Sequence, residues 1–256
     1  MSEFKKLMVN DINNDVEWKN AEINFNNHYL KSNREGNNIP KIIHQIWLGG
    51  KFPDKYQELT NTWLQKNPDW TWRLWTDDDV ENFGIKNVKQ FNDAPNLGMK
   101  SDIFRYEILY KYGGLYIDTD FECIKSFDDL TYLDFFTGTG HLGEPEMFNG
   151  LIGCRPEHNI MKALIDGISK IDTNIKDFNK IMYATGPKYL SKIFFDYIQK
   201  NKDEKIVLFP TKFFYSLPAV MRFAVRNDIN VRKDLVNKHL TQESYCVHLW
   251  YTSWQK

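Results

Sequence analysis

Asp118-Thr119-Asp120 follows directly on the apolar stretch Leu115-Tyr116-Ile117. Two carboxylates at the end of a buried strand meet at one point only if the backbone turns there. Like charges that close repel unless a cation or an arginine compensates them. Hard oxygen donors of this kind suit Mn²⁺ or Mg²⁺, ions that keep positions open for substrate phosphates. The bare acidic pair is nevertheless common in solvated loops, so its meaning depends on its neighbours. Upstream, Asp102 and Arg105 are spaced i, i+3 and share a helix face, which by spacing alone makes a local ion pair. Trp47 ends another apolar run, Lys41–Trp47, where an indole serves equally as a stacking platform or as core. His248 lies near the end of a late strand, a place where a lone histidine is more often a hydrogen-bonded structural group than a ligand. His44, inside the first apolar run, reads as structural.

The elements that must position these residues follow from pattern and punctuation. Residues 1–38 are polar and Asn-rich, with one helix expected from about Val16 to Lys31, and form an amphipathic extension. Pro40 marks the change to the main body, residues 39–256. A strand over 41–47 enters the Gly49-Gly50 loop, and Pro53-Asp54 open a helix that Asn67-Pro68 stops. Residues 70–75 alternate as a strand, and Thr76 or Asp77 caps the next helix. A helix over 97–112 ends at Gly113-Gly114, where glycine readily supplies a left-handed residue. Further strands are expected near 121–125, 133–139, 151–154, 205–209 and 244–249, with helices over 157–170 and 187–200. Strand and helix alternating in this way predict an α/β domain around a mixed, mostly parallel sheet.

Composition narrows the partners. Net charge is −1, from 33 basic and 34 acidic residues, which argues against nucleic acid as a partner. Cys123, Cys154 and Cys246 are far apart and unpaired in spacing, so neither a zinc site nor a disulfide framework is expected. No apolar run suits a signal peptide or a membrane span, which makes a cytoplasmic protein the expectation. Lys19, Lys31 and Arg34 in the extension, offset by Glu17 and Glu22, leave room for weak peripheral association at the inner face of the cell membrane. Aromatic residues make up 15% of the chain, and composition does not say which of them stack on a ligand.

Met99 to Tyr106, followed by Tyr112-Gly-Gly-Leu-Tyr-Ile-Asp118-Thr-Asp120, resembles the sugar-binding D-x-D region of glycosyltransferase family 32. That family is related to the glucosyltransferase domain of the large clostridial toxins. Ile39-Pro-Lys-Ile-Ile-His44-Gln-Ile-Trp47, Asn67-Pro-Asp69 to Leu74-Trp75, Thr185-Gly186-Pro187 and His248 to Ser253-Trp254 agree in order. The resemblance spans residue 39 to the C-terminus. It implies a GT-A fold and a metal-dependent transferase that moves a hexose from a nucleotide sugar, UDP-linked by preference, with retention of configuration. The acceptor implied is a hydroxyl of a surface or lipid-linked oligosaccharide, that is, a glycan or glycolipid.

The resemblance also assigns roles. Trp47 would stack on the base, Asp102 would hold donor hydroxyls, and Arg105 would lie against sugar and phosphate. Asp120 and His248 would bind the metal, with Asp118 acting through water or on the ribose. Ser253 and Trp254 would close over the diphosphate and exclude water. Asn149 would lie near the anomeric carbon, and the segment from Gly138 to Glu146 would contact the acceptor. Neither Glu144 nor Glu146 is named a nucleophile. Retention then proceeds through a covalent intermediate or through same-face attack. The alternatives are a toxin-like effector that glycosylates a host protein, a sugar-binding module without turnover, and a metal-dependent phosphodiesterase. The last would draw on more histidines than His248.

Overall fold

A computed structural model describes the chain except residues 10, 11, 13, 14, 142, 143, 176, 228 and 252–256. Near the N-terminus α1 (Glu3–Lys6) and α2 (Val16–Phe25) are followed by a single π-turn over Asn26–Leu30. Phe4 and Phe25 are completely buried, and Phe25 and Tyr29 meet Phe209 and Phe213 edge-on at 4.9–6.1 Å. Aromatic anchors therefore hold this segment to the body.

The central sheet begins with β1 (Ile42–Ile46), joined through α3 (Asp54–Lys66) to the parallel strand β2 (Thr71–Trp75). α3 buries Tyr56, Leu59, Thr60 and Trp63, one helical face, and the Trp63 indole donates to the Phe121 carbonyl at 3.0 Å. Thr76 and Asp79 form a capping box at the start of α4 (Asp77–Phe83), so Thr76 is the cap. α5 (Val88–Asp93) was not expected from the sequence. α6 (Leu97–Tyr112) matches its expected bounds and is capped by the Asn96 side chain on the Met99 amide. It ends at Gly113, at φ +61°, where a β-carbon would lie 2.6 Å from Pro156.

β3 (Gly114–Ile117), buried throughout, runs parallel to β1 and ends at Asp118. β4 (Phe121–Cys123) leads to β5 (Phe135–His141) and β6 (Pro145–Cys154), which pair antiparallel as one hairpin. α7 (Asn159–Ile168), α8 (Phe178–Ala184) and α9 (Pro187–Lys200) precede β7 (Ile206–Phe209). The sheet order is β2-β1-β3-β6-β5-β7, in which β6 alone opposes the other five. This is the mixed, mostly parallel, helix-flanked α/β architecture expected of a GT-A domain.

The region from 213 to 226 contains the end of α10 (Thr211–Phe214), a 3₁₀ turn at Ala219–Met221 and most of α11 (Arg222–Asn227). After α12 (Ile229–His239), β8 (Cys246–His248) pairs antiparallel with β4 in a separate two-stranded ribbon. Gly138 lies within β5, and Glu146 and Asn149 lie within β6.

Candidate active site at the end of β3

Three connections bring the chemistry together. β3 delivers Asp118 to the sheet edge, where its amide donates to the Gly150 carbonyl at 2.7 Å and so sets β6 beside it. α6 lays Asp102 and Arg105 against the same strands. The β4–β8 register places Phe121 opposite His248, which carries His248 back to Asp120. A cavity of about 440 Å³ opens over this junction, a size suited to a small-molecule site. Trp47, Asp102, Arg105, Asp118, Asp120, Asn149 and His248 all line it. Ser253 and Trp254 lie outside the described residues.

Arg105 is 5% exposed and is held by three hydrogen bonds and two ion pairs inside the protein. Its Nε donates to the Ser101 carbonyl at 3.2 Å and Nη1 to the Asn149 carbonyl at 2.6 Å. Nη1 also lies 3.4 Å from Asp118, while Nη2 lies 3.2 Å from Asp102 and 3.3 Å from the Ser101 hydroxyl. A guanidinium has five N–H groups, and five protein oxygens surround this one. The guanidinium also lies over the Tyr116 ring at 4.5 Å. The i, i+3 ion pair read from spacing thus exists, inside a larger clamp that joins α6, β3 and β6.

Asp102 accepts from Asn149 Nδ2 at 2.8 Å and from the Thr185 hydroxyl at 3.2 Å. Burial pushes its carboxyl up to about 6, against the pull of Arg105 and Asn149. Tyr106 completes this corner: it accepts from Asn149 Nδ2 at 3.1 Å and donates to the Thr185 carbonyl at 2.7 Å. Its position one helical turn after Asp102 is the signal that could have marked it.

Asp118 accepts from the Tyr116 hydroxyl at 2.8 Å. Burial and the neighbouring Asp120 raise its pKa, opposed by Arg105. Burial also disfavours the ionised form of Asp120, but His248 and the Tyr251 amide outweigh it and hold that carboxyl below its usual range. His248 Nε2 donates to Asp120 at 3.0 Å and the Tyr251 amide donates at 2.7 Å. Both can do so because Trp250, at φ +57°, turns the chain between them. That left-handed conformation is costly for a large residue. No sequence signal marked Trp250.

One donor atom each from Asp118, Asp120 and His248 lies within 4.8 Å of the others. His248 Nδ1 is buried and has no hydrogen-bond partner among the described residues. Two hard oxygens of an adjacent acidic pair and an imidazole make a donor set that fits Mn²⁺ or Mg²⁺.

Trp47 is half-buried, packed on Phe52 at 5.6 Å and Tyr56 at 4.9 Å. His44 is structural: Nε2 donates to the Gly113 carbonyl at 3.0 Å, and Nδ1 accepts from the Trp75 indole at 3.1 Å. Glu146, paired with Lys188 at 2.7 Å, does not line the cavity.

The fold and the acidic pair at its sheet edge are similar to those of the D-x-D glycosyltransferases. Residues 53–136 match the family described as glycosyltransferase sugar-binding region containing DXD motif, which bears out the resemblance read from the sequence. Inositol phosphoceramide mannosyltransferase 3 of Schizosaccharomyces pombe is 30% identical over 172 residues, 65% of this chain and 48% of that protein. A glycosyltransferase of Acanthamoeba polyphaga mimivirus is 26% identical over 84% of both chains. This chain spans about half the length of the curated mannosyltransferases it matches, 45–52%. Among solved structures, the catalytic domain of alpha-toxin from Clostridium novyi is 13% identical with a TM-score of 0.51, over 73% of this chain and 84% of that one. The PaToxG glycosyltransferase is 17% identical with a TM-score of 0.50, over 73% and 80%. These likenesses speak for the fold alone. No helix among the described residues is long and apolar enough to cross a membrane.

Proposed function

We propose that this chain is a divalent-metal-dependent hexosyltransferase, acting from a nucleotide sugar on a hydroxyl of a glycan or glycolipid with retention of configuration. The observation that carries this reading is the convergence of Asp118, Asp120 and His248 on one cavity with Asp102, Arg105, Asn149 and Trp47. Asp120 and His248 would hold Mn²⁺ or Mg²⁺, with Asp118 beside them; the bound ion neutralises charge on the departing nucleoside diphosphate. Trp47 stacks on the base, and Asp102 accepts from donor hydroxyls. Arg105 holds Asp102, Asp118 and the Asn149 carbonyl in place.

Retention needs no protein base if the acceptor attacks on the face that the diphosphate leaves and a diphosphate oxygen takes its proton. The acids lining the cavity among the described residues are Asp102, Asp118 and Asp120. Each is engaged with Arg105, Tyr116, His248 or Asn149, which favours this route over a covalent intermediate on a carboxylate. Mannose is the first hexose to test, given the names of the relatives, and UDP the first nucleotide, given the family resemblance.

The test is a screen of UDP- and GDP-linked hexoses for slow hydrolysis, with Mn²⁺ and with chelator. Metal-dependent hydrolysis of one donor is expected; no hydrolysis and no calorimetric binding of any donor would overturn the reading. Labelled donor added to a lysate then separates a glycolipid acceptor from a protein one.

A further inference from the structure

Tyr215 is 1% exposed, yet its hydroxyl has no hydrogen-bond partner among the described residues. Buried hydroxyls are nearly always paired, so an orphan beside a ligand cavity calls for a reason. The ring is tightly fixed, packed among Phe121, Phe148, His248 and Trp250 at centroid distances of 5.3–5.9 Å. Glycines clear its path. A β-carbon at Gly138 would approach the ring to 3.1 Å, and one at Gly140 would lie 3.4 Å from its Cβ. At Gly150 the same addition would fall 3.4 Å from the Tyr215 hydroxyl and 2.7 Å from Asp118 Oδ2. The missing side chain at Gly150 therefore lets a hydroxyl and a carboxylate oxygen approach the same point of β6. Gly150, Asp118 and Tyr215 all line the cavity.

The chemistry of the two walls selects the occupant. Burial and the charge of Asp118 raise the pKa of the Tyr215 hydroxyl well above its ordinary value, so it stays a donor. Asp118 Oδ2 is an acceptor. An alcohol satisfies both walls at once, accepting from Tyr215 and donating to Asp118.

We propose that the stretch of cavity wall formed by Tyr215, Asp118 and Gly150 is a subsite for one hydroxyl of the sugar-nucleotide donor, with Tyr215 its hydrogen-bond donor. This rests on the transferase reading above. The experiment compares the wild type with Tyr215→Phe, which keeps the ring and removes only the hydroxyl. Three quantities are measured: melting temperature without ligand, Mn²⁺ affinity, and calorimetric affinity for the donor found by the screen. Since no protein partner is lost, the melting temperature should be unchanged or higher, with Mn²⁺ affinity unchanged and donor affinity lower by about 3- to 10-fold. A lower melting temperature with unchanged donor affinity would show a purely structural hydroxyl and overturn the proposal. A loss of Mn²⁺ affinity would assign the hydroxyl to the metal's own ligands and overturn it equally. If the wild type binds no donor, the transferase reading fails and takes the subsite with it; if the wild type binds and the variant binds as well, only the subsite fails.

Discussion

His44 fastens β1, which ends at Trp47, to the turn between α6 and β3, which carries Asp102 and Asp118. It does so as a neutral imidazole, donating to the Gly113 carbonyl and accepting from the Trp75 indole. Burial, with a further push from Arg73, lowers it from 6.5 to about 4, against the Gly113 bond. The sign of the linkage follows. Between those values the unfolded chain binds a proton that the folded chain refuses, so stability falls as pH falls. At 1.36 kcal/mol per tenfold, the full effect is about 3 kcal/mol, of which about 2 kcal/mol is lost by pH 5. That is a large share of the roughly 5–15 kcal/mol that holds a domain folded. The assay is urea unfolding at pH 7.5 and pH 5.0 for the wild type and for His44→Gln, whose amide can both donate and accept. Buried acids such as Asp102 titrate in both proteins, so the difference between the two isolates His44. Stability of the wild type relative to the variant should fall by about 2 kcal/mol between the two pH values. A relative stability that stays constant would refute the neutral, two-bond histidine.

Asp120→Asn should abolish Mn²⁺-dependent donor hydrolysis while leaving urea stability within about 1 kcal/mol, because the amide still accepts from Tyr251; retained hydrolysis would remove Asp120 from the metal site. Arg105→Lys keeps the charge but cannot reach five oxygens. Each buried acceptor left unpaired costs about 1–3 kcal/mol, so both stability and hydrolysis should fall, and an active, fully stable lysine variant would contradict the clamp. Asn149→Asp sets a second carboxylate 2.8 Å from Asp102. Its destabilisation should be greater at pH 7.5 than at pH 5.0, where the pair can share a proton; unfolding curves at the two pH values decide it.

The local parts of this fold were legible because local chemistry determines them. α6 and α9 have their expected bounds, set by Gly113 after one and by Gly186-Pro187 before the other. The acidic pair at the end of β3 followed from an apolar run meeting a turn. The missed features depend on distant partners. β6 begins at Pro145, well before the strand expected near 151–154, and its Gly150 is set by Asp118 Oδ2 and the Tyr215 hydroxyl, which would lie 2.7 and 3.4 Å from a β-carbon there. Trp250 adopts its left-handed backbone because His248 and the Tyr251 amide both serve Asp120, a demand made from across the β4–β8 ribbon. Tyr215 carries no motif, and only the packing shows that its hydroxyl is left over. Arg105 shows the same limit from the other side: its pair with Asp102 follows from spacing, but its contacts with Ser101, Asn149 and Asp118 do not.

The three carboxylates bear on the order of events at the site. Asp102, Asp118 and Asp120 line one cavity together with Arg222 and with Arg105, which pairs with two of the three. A nucleoside diphosphate adds further negative charge. In a partly desolvated cavity, repulsion between a diphosphate and the Asp118–Asp120 pair is strong. On the proposed reading, then, the cation must be in place before or with the donor, and donor affinity should rise steeply with Mn²⁺ concentration. A titration of the donor at several Mn²⁺ concentrations measures that coupling directly, and an affinity independent of the ion would mean that some other group meets the diphosphate.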